Sequence, residues 1–170
     1  QAHGAKISFG NEFKNVGTFG DVSAWSFCQD KIISTGGEGG MVTTNNKEIW
    51  RKIWSLKDHG KDYELVHSNN SNNSFRWLHQ TLGTNLRLTE FQSAIGILQL
   101  KNINLNWERR NKNALYLASN LRNFNSLRIP LPTSEIRHAW YRFYVYLKPK
   151  YISEDWSRER IINEINKLGY

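Results

Sequence analysis

Residues 22–44 read Val-Ser-Ala-Trp-Ser-Phe-Cys-Gln-Asp-Lys-Ile-Ile-Ser-Thr-Gly-Gly-Glu-Gly-Gly-Met-Val-Thr-Thr. An apolar run, Val22 to Phe27, has the length of a buried strand. A glycine-rich turn, residues 36–40, leads straight into a second short apolar stretch, Met41 to Thr44. Glycines in such a turn let the backbone adopt positive φ and pass close to a neighbour or a ligand. Lys31 falls where the first strand should end, and α/β proteins place their chemistry at strand ends. No Gly-Lys-Ser/Thr follows the glycines, so this is not a phosphate-cradling P-loop, and the spacing does not fit a dinucleotide fingerprint. Alone, the lysine reads as a solvated charge and the glycines as a turn. The combination says more: Ser26 stands five positions before Lys31, and the glycines begin five positions after it.

The chain has 170 residues, enough for one domain with a core or for pieces of two. With Cys28 as its one cysteine, no internal disulfide can form, and a reducing, cytoplasmic setting follows as the expectation. No uncharged apolar run approaches the roughly 18 residues that span a bilayer, and nothing resembles a signal peptide. Net charge is +8. That favours anionic partners, but the basic residues are dispersed. A phosphate-bearing small molecule is easier to reconcile with them than nucleic acid.

Periodicity places the remaining elements. Turn signals near Gly10-Asn11 and between Gly17 and Gly20 flank short apolar pieces. Ile49, Trp50, Ile53, Trp54 and Leu56 follow helical spacing, with Asn45 or Asn46 as N-cap and Gly60 as the stop. His59 beside that stop reads as a loop residue, and so does His3. Residues 68–74 form a polar loop whose two sequons, at Asn69 and Asn72, are read as chance. Thr89-x-x-Gln92 fits a capping box before Phe91, Ala94, Ile95 and Leu98. A second helix is expected over 105–121, with the charge run 108–112 on its solvated face. Residues 140–147 alternate as a strand does, with Arg142 on the face opposite Tyr141 and Phe143. Ile161, Ile162, Ile165 and Leu168 mark a last short helix.

Ser26-Phe27-(x)3-Lys31-(x)4-Gly36-Gly37-Glu38-Gly39-Gly40-Met41-Val42 resembles the cofactor-lysine segment of the DegT/DnrJ/StrS family. These are pyridoxal-phosphate sugar aminotransferases with the fold-type I, aspartate-aminotransferase architecture. Gln1-Ala2-His3-Gly4 and the block Gly83-x-Asn85-x-Arg87-(x)2-Glu90 to Leu100 are similar to two further family segments, in the same order. The resemblance implies that Lys31 holds pyridoxal 5'-phosphate covalently and that Ser26 contacts its phosphate. Gln1 would lie against the ring near its phenolic oxygen. Asn85, and second Arg87, would reach the partner's cofactor phosphate across a homodimer with shared sites. Arg87 could equally pair with a carboxylate of its own chain. A lysine desolvated beside cationic groups can have a depressed pKa, which suits a base.

The implied fold is therefore α/β, a fragment of the fold-type I architecture. Residues 1–100 would be the C-terminal part of the cofactor-binding large domain. Residues 101–125 would be a linking helix, and 126–170 the start of a small C-terminal domain. The family aspartate that pairs with the pyridine nitrogen would precede Gln1, so the 170 residues alone are expected to be inactive. The implied reaction moves an amino group from glutamate to a nucleotide-diphosphate keto-sugar, in amino-sugar and polysaccharide biosynthesis. No metal, nucleic acid or membrane takes part. Alternatives on the same fold are a cyclitol substrate or a sugar dehydratase, though dehydratase relatives replace the lysine by histidine. A basic, non-enzymatic binding module is the alternative outside the fold's chemistry.

Overall fold

The computed structural model describes residues 2–68 and 79–170. Gln1, both sequons and most of the polar segment 68–74 lie outside the described residues.

Strands β1 (Lys6–Phe9) and β2 (Glu12–Asn15) form a hairpin. Phe9 pairs with Glu12, leaving Gly10 and Asn11 as a two-residue turn, and Gly10 has φ 63°. Positive φ at the first turn position is what a tight hairpin of right-twisted strands requires. A second hairpin joins β3 (Ser23–Ser26) to β4 (Gly40–Thr43), in register from Ser23↔Thr43 to Ser26↔Gly40. The strand expected at 22–27 is therefore present but not buried. Val22 is exposed, and β4 is the one strand paired with β3 among the described residues. A hairpin paired on one side keeps an open edge, so its apolar residues are only half covered.

Helix α1 (Lys47–Lys57) starts where its N-cap dictates. Asn46 Oδ1 accepts the N–H groups of Glu48 and Ile49 at 2.9 and 3.1 Å. At its other end Gly60, φ 75°, donates its N–H to Ser55 O at 2.8 Å. After α2 (Tyr63–His67), α3 (Glu90–Lys101) opens with the expected capping box of Thr89 and Gln92. Helix α4 (Ile103–Leu121) begins two residues earlier than periodicity suggests, because Asn102 serves as C-cap of α3 and N-cap of α4 together. Ala114 and Ala118 on α4 are buried, with Ala5, Phe27, Ile33, Ala139 and Trp140 as the rest of a small core. Phe91, Ile97, Leu98 and Leu100 of α3 remain exposed.

The C-terminal third departs most from expectation. Of the strand expected at 140–147, only β7 (Tyr146–Leu147) forms, paired with β5 (Leu127–Arg128). Between them in sequence, β6 (Ile136–Arg137) joins β1 as a third strand of the first sheet. Side-chain bonds explain why pairing stops short. Trp140 takes φ 52°, and its Nε1 donates to Asn111 Oδ1 at 2.8 Å. Tyr141 turns toward the loop after β3. Positive φ at a bulky residue breaks the pleat, and the hydrogen bonds of 138–141 over-determine it. Nor is the charge run on α4 wholly solvated. Arg110 Nε donates to Ala139 O at 3.1 Å, and burial pushes the Arg110 guanidinium pKa down. Helix α4 thus holds 138–140 in place. The chain ends with a short 3-10 turn, Pro149–Tyr151, and α5 (Arg158–Lys167), capped by Ser157 Oγ.

Candidate functional site

Lys31 sits in the loop that the β3–β4 hairpin encloses. The loop is pinched at its base: Phe27 N–H donates to Gly39 O at 2.7 Å, and Thr35 N–H donates to Phe27 O at 3.2 Å. Phe27 and Ile33 anchor it in the core. Gly36 and Gly37 take φ 78° and 151°. A β-carbon on Gly39 would collide with Thr35 Oγ1 and press on Leu88, so the turn packs backbone-first. Gln92 of the capping box donates from Nε2 to Glu38 O at 2.7 Å, docking the turn on α3. Strand end, glycine turn and helix start thus act as one frame, with Lys31 held inside it. The lysine side chain is only 13% exposed.

Its amine does not project alone. Lys31 Nζ lies 2.5 Å from Asp30 Oδ1 and donates to Tyr141 OH at 3.3 Å. Tyr141 OH in turn donates to Asp30 Oδ2 at 2.5 Å. Cys28 Sγ donates to Asp30 Oδ1 at 3.2 Å, and Arg142 stands 3.8 Å from Oδ2. One carboxylate therefore gathers an ammonium, a phenol, a thiol and a guanidinium. The lysine hydrogen bond, then those of Tyr141 and Cys28, hold the Asp30 carboxyl well below the usual carboxylate range. The same Asp30 bond raises the Lys31 pKa, and Tyr141 adds to it. The nearest charge to this lysine is thus a carboxylate rather than a cation. Asp30 was legible as Lys31's neighbour. Tyr141, 110 positions away, carried no local signal.

Ser26 is the last residue of β3, and its Oγ accepts the Cys28 N–H at 3.4 Å. Among the described residues its own hydrogen has no acceptor, and a hydroxyl so placed can donate to an anionic oxygen. Asn85 and Arg87 form a second cluster. Arg87 Nε donates to Asn85 Oδ1 at 3.0 Å and lies 3.6 Å from Asp58 Oδ1, on the loop that ends α1. Asn85 also bridges Asp58 through the backbone. The guanidinium is thus paired within its own chain, as the alternative reading allowed. The two clusters share no hydrogen-bond partner among the described residues. His59, φ 61°, is a loop residue whose carbonyl accepts from His79 Nδ1.

His3 carries more of the site than a loop position suggests. It does sit in the turn before β1, as a loop histidine would, but it is buried there, only 1% exposed. Its Nδ1 accepts the Ile33 N–H at 3.1 Å, and its ring stacks on Trp25 at 5.8 Å. It therefore props the Lys31 loop from beneath. Burial above all, with the positive charges of Arg110 and Lys31 adding to it, lowers its pKa to about 4. The unfolded chain binds that proton near pH 6.5, so it holds more protons than the fold between about pH 6.5 and 4. Stability should therefore be full above pH 6.5 and fall as pH drops through that window, by on the order of 3 kcal/mol at most. Denaturant melts from pH 7 to pH 4 test this. His3→Gln should flatten the slope; an unchanged slope would remove His3 as its source.

The comparisons with known proteins bear on the same residues. The model of the DegT/DnrJ/EryC1/StrS aminotransferase family matches residues 1–169. The chain belongs to this family. Among its relatives is an uncharacterised protein of Methanocaldococcus jannaschii, 34% identical over 168 residues, 96% of this chain and 42% of that protein. The GDP-perosamine synthase of Escherichia coli O157:H7 is 40% identical over 96 residues, 55% of this chain and 23% of that enzyme. The X-ray structure of an aminotransferase from Psychrobacter cryohalolentis superposes with a TM-score of 0.88 at 44% identity, over 99% of this chain and 44% of that one. The family chain described here thus spans about two fifths of the length of such relatives, and its mixed α/β architecture is part of the fold-type I aminotransferase fold. Among the described residues, no helix is long and apolar enough to cross a membrane.

Proposed function

We propose that this chain supplies the lysine-bearing part of a pyridoxal-phosphate aminotransferase that transfers an amino group from glutamate to a nucleotide-linked keto-sugar. Amino sugars for polysaccharides are the expected products, made in the cytoplasm. The observation that carries this reading is Lys31 itself. It is a mostly enclosed amine on a glycine-framed loop after a strand, in a chain of an aminotransferase family.

The residues fit the cofactor. Lys31 supplies the amine, and Ser26 Oγ has a hydrogen free for a phosphate oxygen. Gln1 and the cross-subunit Asn85, with Arg87 behind it, are proposed as the further contacts. The domain limits at residues 100 and 125 belong to the same proposal. The cofactor, when bound, supplies the electron sink for the bond broken at the donor's α-carbon. The chain supplies position and proton transfer. Ser26 fixes the anionic end so that the lysine meets the reacting carbon. Lys31 Nζ, once free and uncharged, takes the α-proton of the donor and returns it on the product side. Keto-sugar specificity is supported by the GDP-perosamine synthase relative, and the net charge of +8 suits a diphosphate.

The test is a half-reaction. Glutamate given to the complete holoenzyme without an acceptor should release one 2-oxoglutarate per Lys31 and then stop. A nucleotide keto-sugar should restart it. Absence of the stoichiometric burst would overturn the transaminase reading.

A further inference from the structure

The contacts around Asp30 reach beyond the reading above and rest on it. We propose that Asp30 and Tyr141 are positioning residues that together hold the Lys31 amine in place as an ammonium ion until a carbonyl partner takes it.

Three contacts close a ring. Lys31 Nζ meets Asp30 Oδ1 at 2.5 Å and Tyr141 OH at 3.3 Å, and Tyr141 OH meets Asp30 Oδ2 at 2.5 Å. Each carboxylate oxygen is engaged by a different donor, so the carboxylate cannot rotate without losing one bond. An ammonium so bound has one direction left for its third N–H. The phenol brings a second element into the ring. Tyr141 is held by its neighbour Trp140, whose indole bonds to Asn111 of α4. The lysine is thereby tied to the segment that α4 fixes, and not only to its own loop. The Lys31 amine also lies 5.4 Å from the centre of the Tyr141 ring, within reach of its π-face.

Other charged and titratable groups face the ring. Arg142 stands 3.8 Å from Asp30 and competes with Lys31 for it, while Cys28 donates to Asp30 Oδ1. Glu38 lies on the Cys28 side, and buried His3 feels the Lys31 charge from beneath. The balance favours the charged lysine, because the carboxylate is the group in direct contact. An ammonium is not a nucleophile. Before Nζ can attack a carbonyl carbon it must lose one proton, which leaves to water beside Asp30, whose side chain is 45% exposed. Asp30 and Tyr141 therefore fix the lysine's position at the cost of its free-base fraction.

The test reads the lysine directly, without cofactor chemistry. The complete protein is freed of cofactor, and Lys31 is labelled competitively with acetic anhydride from pH 7 to pH 11, its peptide quantified by mass spectrometry. Asp30→Asn should lower the labelling midpoint by about one pH unit or more, raising Lys31 labelling at pH 8 about tenfold. Tyr141→Phe should shift it the same way by less, about two- to threefold. Retained circular dichroism shows that each variant folds, and an unrelated lysine peptide serves as the internal control. A midpoint unmoved by Asp30→Asn overturns the proposal, and so does one moved by Asp30→Asn but not by Tyr141→Phe, since both groups are assigned the hold. The result is independent of the half-reaction above. A protein that fails to transaminate still reports whether Asp30 and Tyr141 hold Lys31.

Discussion

Lys31→Ala is expected to abolish transamination in the complete enzyme, with turnover falling by about a thousandfold or more. The amine is asked to do two things, hold the cofactor and move a proton, and among the described residues no second amine bonds to Asp30 and Tyr141. Lys31 is held by Asp30 and Tyr141 inside the β3–β4 loop. A shortened side chain leaves the frame standing, because Phe27, Ile33 and the Gly39 contact make the loop without help from the lysine. The loss should thus appear in kcat and not in stability. Borohydride reduction of the wild-type holoenzyme, followed by digestion, should place the modified residue on the peptide carrying Lys31. Modification at another lysine, or substantial turnover in Lys31→Ala, would remove Lys31 from its role.

Subunit mixing is expected to give the second large effect. If Asn85 serves the partner's site, Lys31→Ala homodimers and Asn85→Ala homodimers are each inactive. A mixed dimer then holds one site with both defects and one with neither. Random exchange makes about half of all dimers mixed, so activity should rise from near zero to about a quarter of the wild-type value. The geometry motivates this. Asn85 and Arg87 are bonded to each other and to Asp58, and among the described residues they share no hydrogen-bond partner with Lys31. Phe91, Leu98 and Leu100 on the following helix are exposed. Exchange followed by mass spectrometry, with no return of activity, would put Asn85 to work in its own chain's site or in none.

Much of the chain was readable locally. Asn46, Thr89 and Gln92 announce helix starts because their side chains bond to backbone groups two or three residues away. The two glycine turns were legible for the same reason, since a turn is decided by the residues within it. Lys31 was legible because Ser26 and the glycines flank it at fixed distances. The expected strand at 140–147 was misread because alternation reports where side chains point and not whether a partner strand is present. Trp140 and Tyr141 instead bond to Asn111 and Asp30. The burial of His3 was not legible because burial of a loop depends on what closes over it, here Trp25, Phe27 and Ile33. The sequence by itself determined the capped starts of α1 and α3 and the glycine frame around Lys31, all of which are short-range facts. Only the tertiary structure decided the charge state around that lysine. Its neighbour Asp30 becomes its counter-ion only because the loop turns the carboxylate onto the amine, and Tyr141 becomes its second anchor from 110 residues away. Electrostatics depends on distance in space, and sequence spacing constrains that distance only within a few residues.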